Sequence, residues 1–199
     1  MKKMHFFRKK IFLSILLGLT IQYSVIFANE IPQEIKNLWV FSVGVLEWKN
    51  STIFSSFPSQ MRRDEKMIDI LKKYNIPDPH IHYIQDHTAT KNNVEREFSE
   101  FISTIPSEDT LLVYYCGHGW KSDNGREMYF ATWDAGNGGI MGWSARSILN
   151  ELNEKFTGKQ VFLLADCCNC GYIVDALGKM TTQKKIAAVM SSRANQTST

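Results

Sequence analysis

Cysteine is scarce and unevenly spread in this sequence: four occur in 199 residues, with Cys167, Cys168 and Cys170 bunched and only Cys116 apart. A small exported domain stapled by disulfides distributes an even number of cysteines along its length, so this pattern argues against a disulfide framework. Proline (5) and glycine (12) are too few, and apolar residues at 44% too many, for a collagen-like or disordered chain. No internal repeat or low-complexity segment is present. Charge of one sign is lacking too. The formal net charge of +3 arises from residues 1–28, which hold five Lys or Arg and no acid, so the remainder carries 18 bases against 20 acids. A basic surface for nucleic acid is therefore not expected.

What is present begins with a targeting signal. A basic start is followed by the uncharged apolar stretch 11–28, which closes on Ile26-Phe27-Ala28. This arrangement predicts a signal peptide over residues 1–28, removed on export. The stretch is 18 residues long and includes Gln22 and Ser24, short and polar beside a membrane-spanning helix of about 20 residues. An uncleaved N-terminal anchor is the alternative, and only then would the chain contact a membrane. On either reading the working domain, residues 36–199, is exported (periplasmic or secreted) or membrane-anchored.

Within that domain, short apolar runs alternate with segments of helical periodicity. Residues 38–46 (LWVFSVGVL), 81–84, 111–115 (LLVYY), 161–165 (VFLLA) and 186–190 read as strands, with a further short one over 128–132. Helices are expected over 62–74, with Met67, Ile70, Leu71 and Tyr74 recurring on one face, and over 91–104, with Val94, Phe98, Phe101 and Ile102. Two more are expected over 144–156, with Ile148, Leu149, Leu152 and Phe156, and over 172–177. Strands alternating with helices imply parallel pairing and right-handed crossovers. In such a sheet the chemistry gathers at the carboxyl ends of the strands.

Two of those ends carry reactive side chains. One strand runs into Cys116-Gly117-His118-Gly119-Trp120 and another into Asp166-Cys167-Cys168-Asn169-Cys170-Gly171. A cysteine nucleophile needs a neighbouring base, because a free thiol with a pKa of about 8.5 is mostly protonated at neutral pH. His118 and Cys168 would meet at one sheet edge if their strands are neighbours. The amides of Gly119 and Cys168 could then face a developing oxyanion. Either residue alone reads as structural; their joint placement directly after buried strands points to chemistry. Asp166 at a buried strand end must be paired, hydrogen-bonded or awaiting a cation. Arg126 and Arg146 are the structural partners to consider. Arg62 and Arg63, which adjoin Asp64, keep open a pocket that takes an acidic residue.

Tyr115-Cys116-Gly117-His118-Gly119 resembles the histidine motif of the caspase and metacaspase clan. Asp166-Cys167-Cys168-Asn169-Cys170-Gly171 resembles its cysteine motif, Asp-x-Cys-His-Ser-Gly, and the likeness extends over roughly residues 38–199. The interval of about 50 residues between histidine and cysteine matches the spacing known for caspases. The resemblance implies a three-layer α/β/α sandwich with a mostly parallel central sheet. It also implies a cysteine endopeptidase acting through a Cys-His dyad and a thioester on peptide or protein substrates, cleaving after Arg or Lys. Cys168 matches the nucleophile because the motif glycine falls three positions later, at Gly171. His118 matches the base, Gly119 and Cys168 the oxyanion hole, and Asp166 the pocket for a basic residue, with Asp64 as a second pocket acid.

Departures accompany the likeness. Asn169 replaces the motif histidine and Cys170 its serine, and 31 residues follow Cys168, where the family fold generally continues to a sixth strand. A C-terminally shortened domain is therefore expected, with the last strand absent or completed by a dimer partner or another protein. A catalytically silent caspase-like binding module is the competing function, and cleavage after acidic residues the competing specificity. Cys-Cys-x-Cys with His118 offers soft ligands but lacks the two-plus-two spacing of structural zinc sites, so no metal is expected. Some metacaspases require calcium, yet Asp123, Asp134 and Asp175 show no loop pattern for it, and no cofactor is expected. Trp48, Trp120, Trp133 and Trp143 read as rim packing, His80 and His82 as surface, and residues 191–199 as a solvated loop.

Overall fold

The computed structural model describes residues 36–197 apart from 123 and 183, so the leader expected over residues 1–28 and Asp123 lie outside the described residues. In chain order the elements are β1 (Leu38–Gly44), α1 (Arg63–Lys73), β2 (Ile81–Gln85), α2 (Lys91–Ser103), β3 (Thr110–Cys116), β4 (Gly119–Lys121) and β5 (Met128–Phe130). They continue with β6 (Trp143–Ser144), α3 (Ala145–Lys155), β7 (Gln160–Asp166), α4 (Tyr172–Leu177) and β8 (Lys185–Met190). Five of the strands form a wholly parallel sheet in the order β2-β1-β3-β7-β8. It is the α/β sandwich that the alternating pattern predicts.

The two faces of the sheet differ. Phe41, Val43, Val113, Tyr115 and Leu163 meet α2 and α3 in the larger core. Helix α2 buries Val94, Phe98 and Ile102 at helical spacing and is capped by Thr90, whose hydroxyl accepts from Asn93 N at 3.4 Å. Helix α3 is capped by Ser144 in the same way, at 3.2 Å from Ser147 N, and buries Ile148, Leu149 and Leu152. Phe98 packs edge-on to Phe41 and Trp143 at 5.1 Å between centroids. Losing such a ring typically costs about 3–5 kcal/mol.

On the other face α1 lies over β1 and β3, where Leu46, Tyr114 and Cys116 form a smaller cluster with Met67. The predicted apolar face of α1 is rotated from the one observed. Ile70 and Tyr74 are exposed, whereas Ile68 and Asp64 are buried. The reason is polar: α1 turns Asp64 toward the sheet, where it meets Arg62 and Tyr83. Gly44 makes that approach feasible, since a Cβ there would stand 1.7 Å from Asp64 Oδ2.

A second, antiparallel sheet, β4-β5-β6, fills the Gly-rich region after β3. Of its strands only β5 is anticipated by the sequence, because β4 and β6 are three and two residues long and carry no periodicity of their own. Trp143, expected at the rim, is fully buried.

Candidate active site

Strand register sets the site. Gly44, Cys116 and Asp166 are paired across β1, β3 and β7, so the three chains leave the sheet at one level. After β3 the backbone is held by Tyr115, whose hydroxyl lies 2.8 Å from His118 O and 3.0 Å from Ala131 O. Ala131 N donates to His118 O at 2.9 Å, which makes residues 118 and 131 a hydrogen-bonded pair. Gly119, opposite Phe130, therefore occupies a non-hydrogen-bonded position, and its N–H points out of the hairpin. It points out beside the loop that follows β7. A Cβ on Gly119 would stand 2.2 Å from Cys168 O, and Asn169 Nδ2 donates to Gly119 O at 3.5 Å.

That loop, residues 167–171, is held from below by the segment after β8. Ser192 Oγ donates to Cys167 O at 2.8 Å and accepts from Cys170 N at 3.3 Å. Cys167 N donates to Ser191 Oγ at 3.1 Å, and Asn169 N to Gln196 O at 2.9 Å. Asn169 takes a left-handed conformation, φ +59°, which Asn tolerates better than most residues. Residues 191–196, expected to be simple loop solvation, are thus the cradle of the Cys168 loop. Two serines and a glutamine look the same in sequence whether they face water or a neighbouring loop.

The four cysteines stand in different environments. Cys167 and Cys170 are fully buried, Cys116 is buried, and Cys168 is half-buried. All four lie among the described residues, and none is in a disulfide. Burial pushes the Cys167 thiol well up, and Cys170, hydrogen-bonded by Cys167 and Ser192, is drawn down. Burial, reinforced by the carboxylates of Asp64 and Asp166, pushes Cys116 up to about 11. It therefore stays protonated and is a poor nucleophile.

His118 and Cys168 line one cleft of about 140 Å³, together with Cys116, Asp166, Arg63 and Phe57. The imidazole is caged by Phe57 (4.4 Å between centroids), Trp48 (4.6 Å) and Phe54 (5.6 Å). Burial lowers its pKa below the usual 6.5, only partly opposed by a hydrogen bond with Ser55 O at 2.9 Å. A carbonyl can only accept, so Nε2 carries the proton and Nδ1 is left as the ring's acceptor. Neither the cage nor the Ser55 carbonyl is visible in the sequence. A main-chain acceptor has no residue signature, and Trp48 reads there as rim packing.

Asp166 and Asp64 part company. Asp166 lines the cleft and pairs with Arg63, Nη1 to Oδ2 at 3.2 Å. Its partner is neither Arg126 nor Arg146; the latter is engaged by Glu127 at 2.9 Å. Asp64, expected beside Asp166, is fully buried behind Cys116 and is not among the lining residues. Its Oδ2 accepts from Tyr83 Oη at 2.6 Å and from Arg62 Nη1 at 3.0 Å. Arg62 also pairs with Asp86, which in turn accepts from Leu46 N at 2.8 Å. Asp134, one of the carboxylates considered for calcium, accepts from Lys91 N at 2.8 Å and Thr132 Oγ1 at 2.9 Å.

No curated protein matches the chain. The family model described as the metacaspase, peptidase C14 domain matches residues 59–177, more than half of the chain. That span runs from α1 through both strand ends to α4, and so contains His118, Asp166 and Cys168. The chain belongs to the metacaspase family of C14 cysteine-type peptidases.

Proposed function

We propose that this peptidase cleaves peptide bonds after Arg or Lys through a Cys168-His118 dyad. The observation that carries the reading is the single cleft lined by both side chains and by Asp166. His118 Nδ1 takes the thiol proton, the Cys168 sulfur attacks the carbonyl, and the imidazolium returns the proton to the leaving amine. Water, activated by the same ring, then hydrolyses the thioester. The N–H groups of Gly119 and Cys168 receive the tetrahedral oxyanion; one such donor contributes about 3–4 kcal/mol in comparable enzymes. In this reading the dyad and two amides complete the acyl transfer without a cofactor.

Preference for a basic residue is supported by Asp166, the carboxylate that lines the cleft. Asp64 and Asp166 both raise the Cys116 thiol that faces the cleft. Asp166 is the carboxylate able to meet a substrate cation, and Asp64 acts from behind it. The full-length protein, assayed with fluorogenic peptides ending in Arg, Lys or Asp, should turn over the first two. A peptidyl-Arg alkylating agent should label Cys168, and Cys168→Ala should abolish both signals. Labelling without turnover would favour a silent module, and turnover of the Asp peptide alone would reverse the specificity.

A further inference from the structure

Two consecutive arginines at the start of α1 meet very different surroundings. Arg62 has a side chain 12% exposed and engages Asp64, Asp86 and, at 3.5 Å, Gly44 O. Arg63 has a side chain 65% exposed and reaches across 103 residues of sequence to one carboxylate oxygen, Asp166 Oδ2, at 3.2 Å. Its place on the helix works against a cation there, although Asp64 and Glu65 follow directly in the first turn. Arg63 is the first residue of α1, and the positive end of a helix dipole disfavours positive charge. Its guanidinium nonetheless lies on the carboxylate that lines the same cleft as His118 and Cys168.

We propose that Arg63 is an intramolecular occupant of the primary specificity pocket, covering Asp166 until the Arg or Lys side chain of a substrate displaces it. This rests on the basic-residue reading of the cleft. A single exposed contact of this kind is weak, so Arg63 swings out readily. While in place it still puts a like charge where the substrate cation must sit, on the carboxylate that lines the cleft. The closed pair also supplies Asp166 with a counter-charge in the empty enzyme. Arg63 is thus a specificity-determining residue that sets KM for basic substrates.

The test compares wild type, Arg63→Gln and Asp166→Asn on peptides ending in Arg, Lys, Asp and an uncharged residue. Arg63→Gln should lower KM for Arg and Lys peptides roughly two- to five-fold, the range that a solvent-exposed pair can contribute, with a smaller change in kcat. The uncharged peptide should not respond. Independently of turnover, labelling of Cys168 by a peptidyl-Arg alkylating agent should speed up in Arg63→Gln, while labelling by iodoacetamide should not. Unchanged KM and labelling in Arg63→Gln, with KM for Arg raised in Asp166→Asn, would overturn the plug and leave the basic specificity standing. Loss of Asp-peptide cleavage in Arg63→Gln would overturn both, because Arg63 would then be the recognition group itself. No response of the Arg peptide to either variant would remove Asp166, and with it the plug, from the pocket.

Discussion

Asp64 and Asp166 stand on the same face of one sheet, and both act on the Cys116 thiol, yet they belong to different parts of the molecule. Asp64 is fully buried, and Arg62, Asp86 and Tyr83 surround it in a knot that ties α1 to the ends of β1 and β2. Asp166 is 29% exposed, opens on the cleft, and has an exposed arginine as its ion-pair partner. A carboxylate whose hydrogen bonds come from buried neighbours holds the structure. One whose partner is exposed to solvent is open to a ligand. Sequence position does not separate these roles, whereas burial and the exposure of the partner do.

The largest effect expected from this contrast falls on folding. Asp64→Ala leaves Arg62 and Asp86 in a partly buried knot without their third charge. Breaking a buried pair from one side typically costs about 3–5 kcal/mol, so thermal and urea unfolding should show a large loss of stability. A variant with wild-type stability and altered substrate choice would make Asp64 a pocket residue after all. Asp166→Asn should do the reverse. Its pair with Arg63 is exposed and contributes about 0–1 kcal/mol at most. The charge-assisted contact to a substrate cation is worth about 1.5–3 kcal/mol, or roughly 10- to 150-fold in kcat/KM for Arg and Lys peptides. Loss of folding in Asp166→Asn would erase the distinction.

Smaller changes sharpen it. Tyr83→Phe removes one hydrogen bond to a buried carboxylate and should reduce stability by about 1.5–3 kcal/mol, with kcat/KM unchanged in the folded fraction. Ser192→Ala probes the cradle of the Cys168 loop. It takes away the donor to Cys167 O and the acceptor for Cys170 N. It should lower stability by about 1–2 kcal/mol and also lower kcat, because the amide and sulfur of Cys168 ride on that loop. A fall in stability alone would make the serine a support for the fold rather than for the site.

Much of this arrangement is legible in the sequence. Three strands of the central sheet stand out because 38–46, 111–115 and 161–165 are nearly continuous apolar runs, and β2 and β8 as shorter ones over 81–84 and 186–190. The strand ends follow from them, and with them His118, Cys168 and Asp166. What is not legible depends on which way a helix is turned and on main-chain partners. Asp64 sits at a helical position whose periodicity predicts Ile70 and Tyr74 inside, and the polar knot overrides that apolar preference. Arg63 and Arg62 are neighbours with the same side chain, and only the fold buries Arg62 against Asp64 and leaves Arg63 exposed on Asp166. The cage around His118 comes from residues 48–57, which have no regular pattern apart from scattered aromatics.

The smallest effect concerns the proton on His118. Its pKa is lowered mainly by burial among Trp48, Phe54 and Phe57, with Ser55 O opposing. The unfolded chain therefore binds this proton more readily than the folded one, and stability falls as pH drops from 6.5 toward the folded value. Well above 6.5 both forms are neutral and the histidine contributes no pH dependence. The neutral ring needed to accept the Cys168 proton persists below 6.5, so the acid limb of kcat/KM should lie below that pH. Phe57→Ala wets the ring and should move the limb upward, by less than about one pH unit. Asp166→Asn should leave it in place, since the shift of His118 arises from burial and Ser55 rather than from that carboxylate. A limb that moved downward in Asp166→Asn would mean that Asp166 stabilises the imidazolium. Its role would then lie with the dyad, and the division between a structural and a substrate-facing carboxylate would have to be redrawn around catalysis.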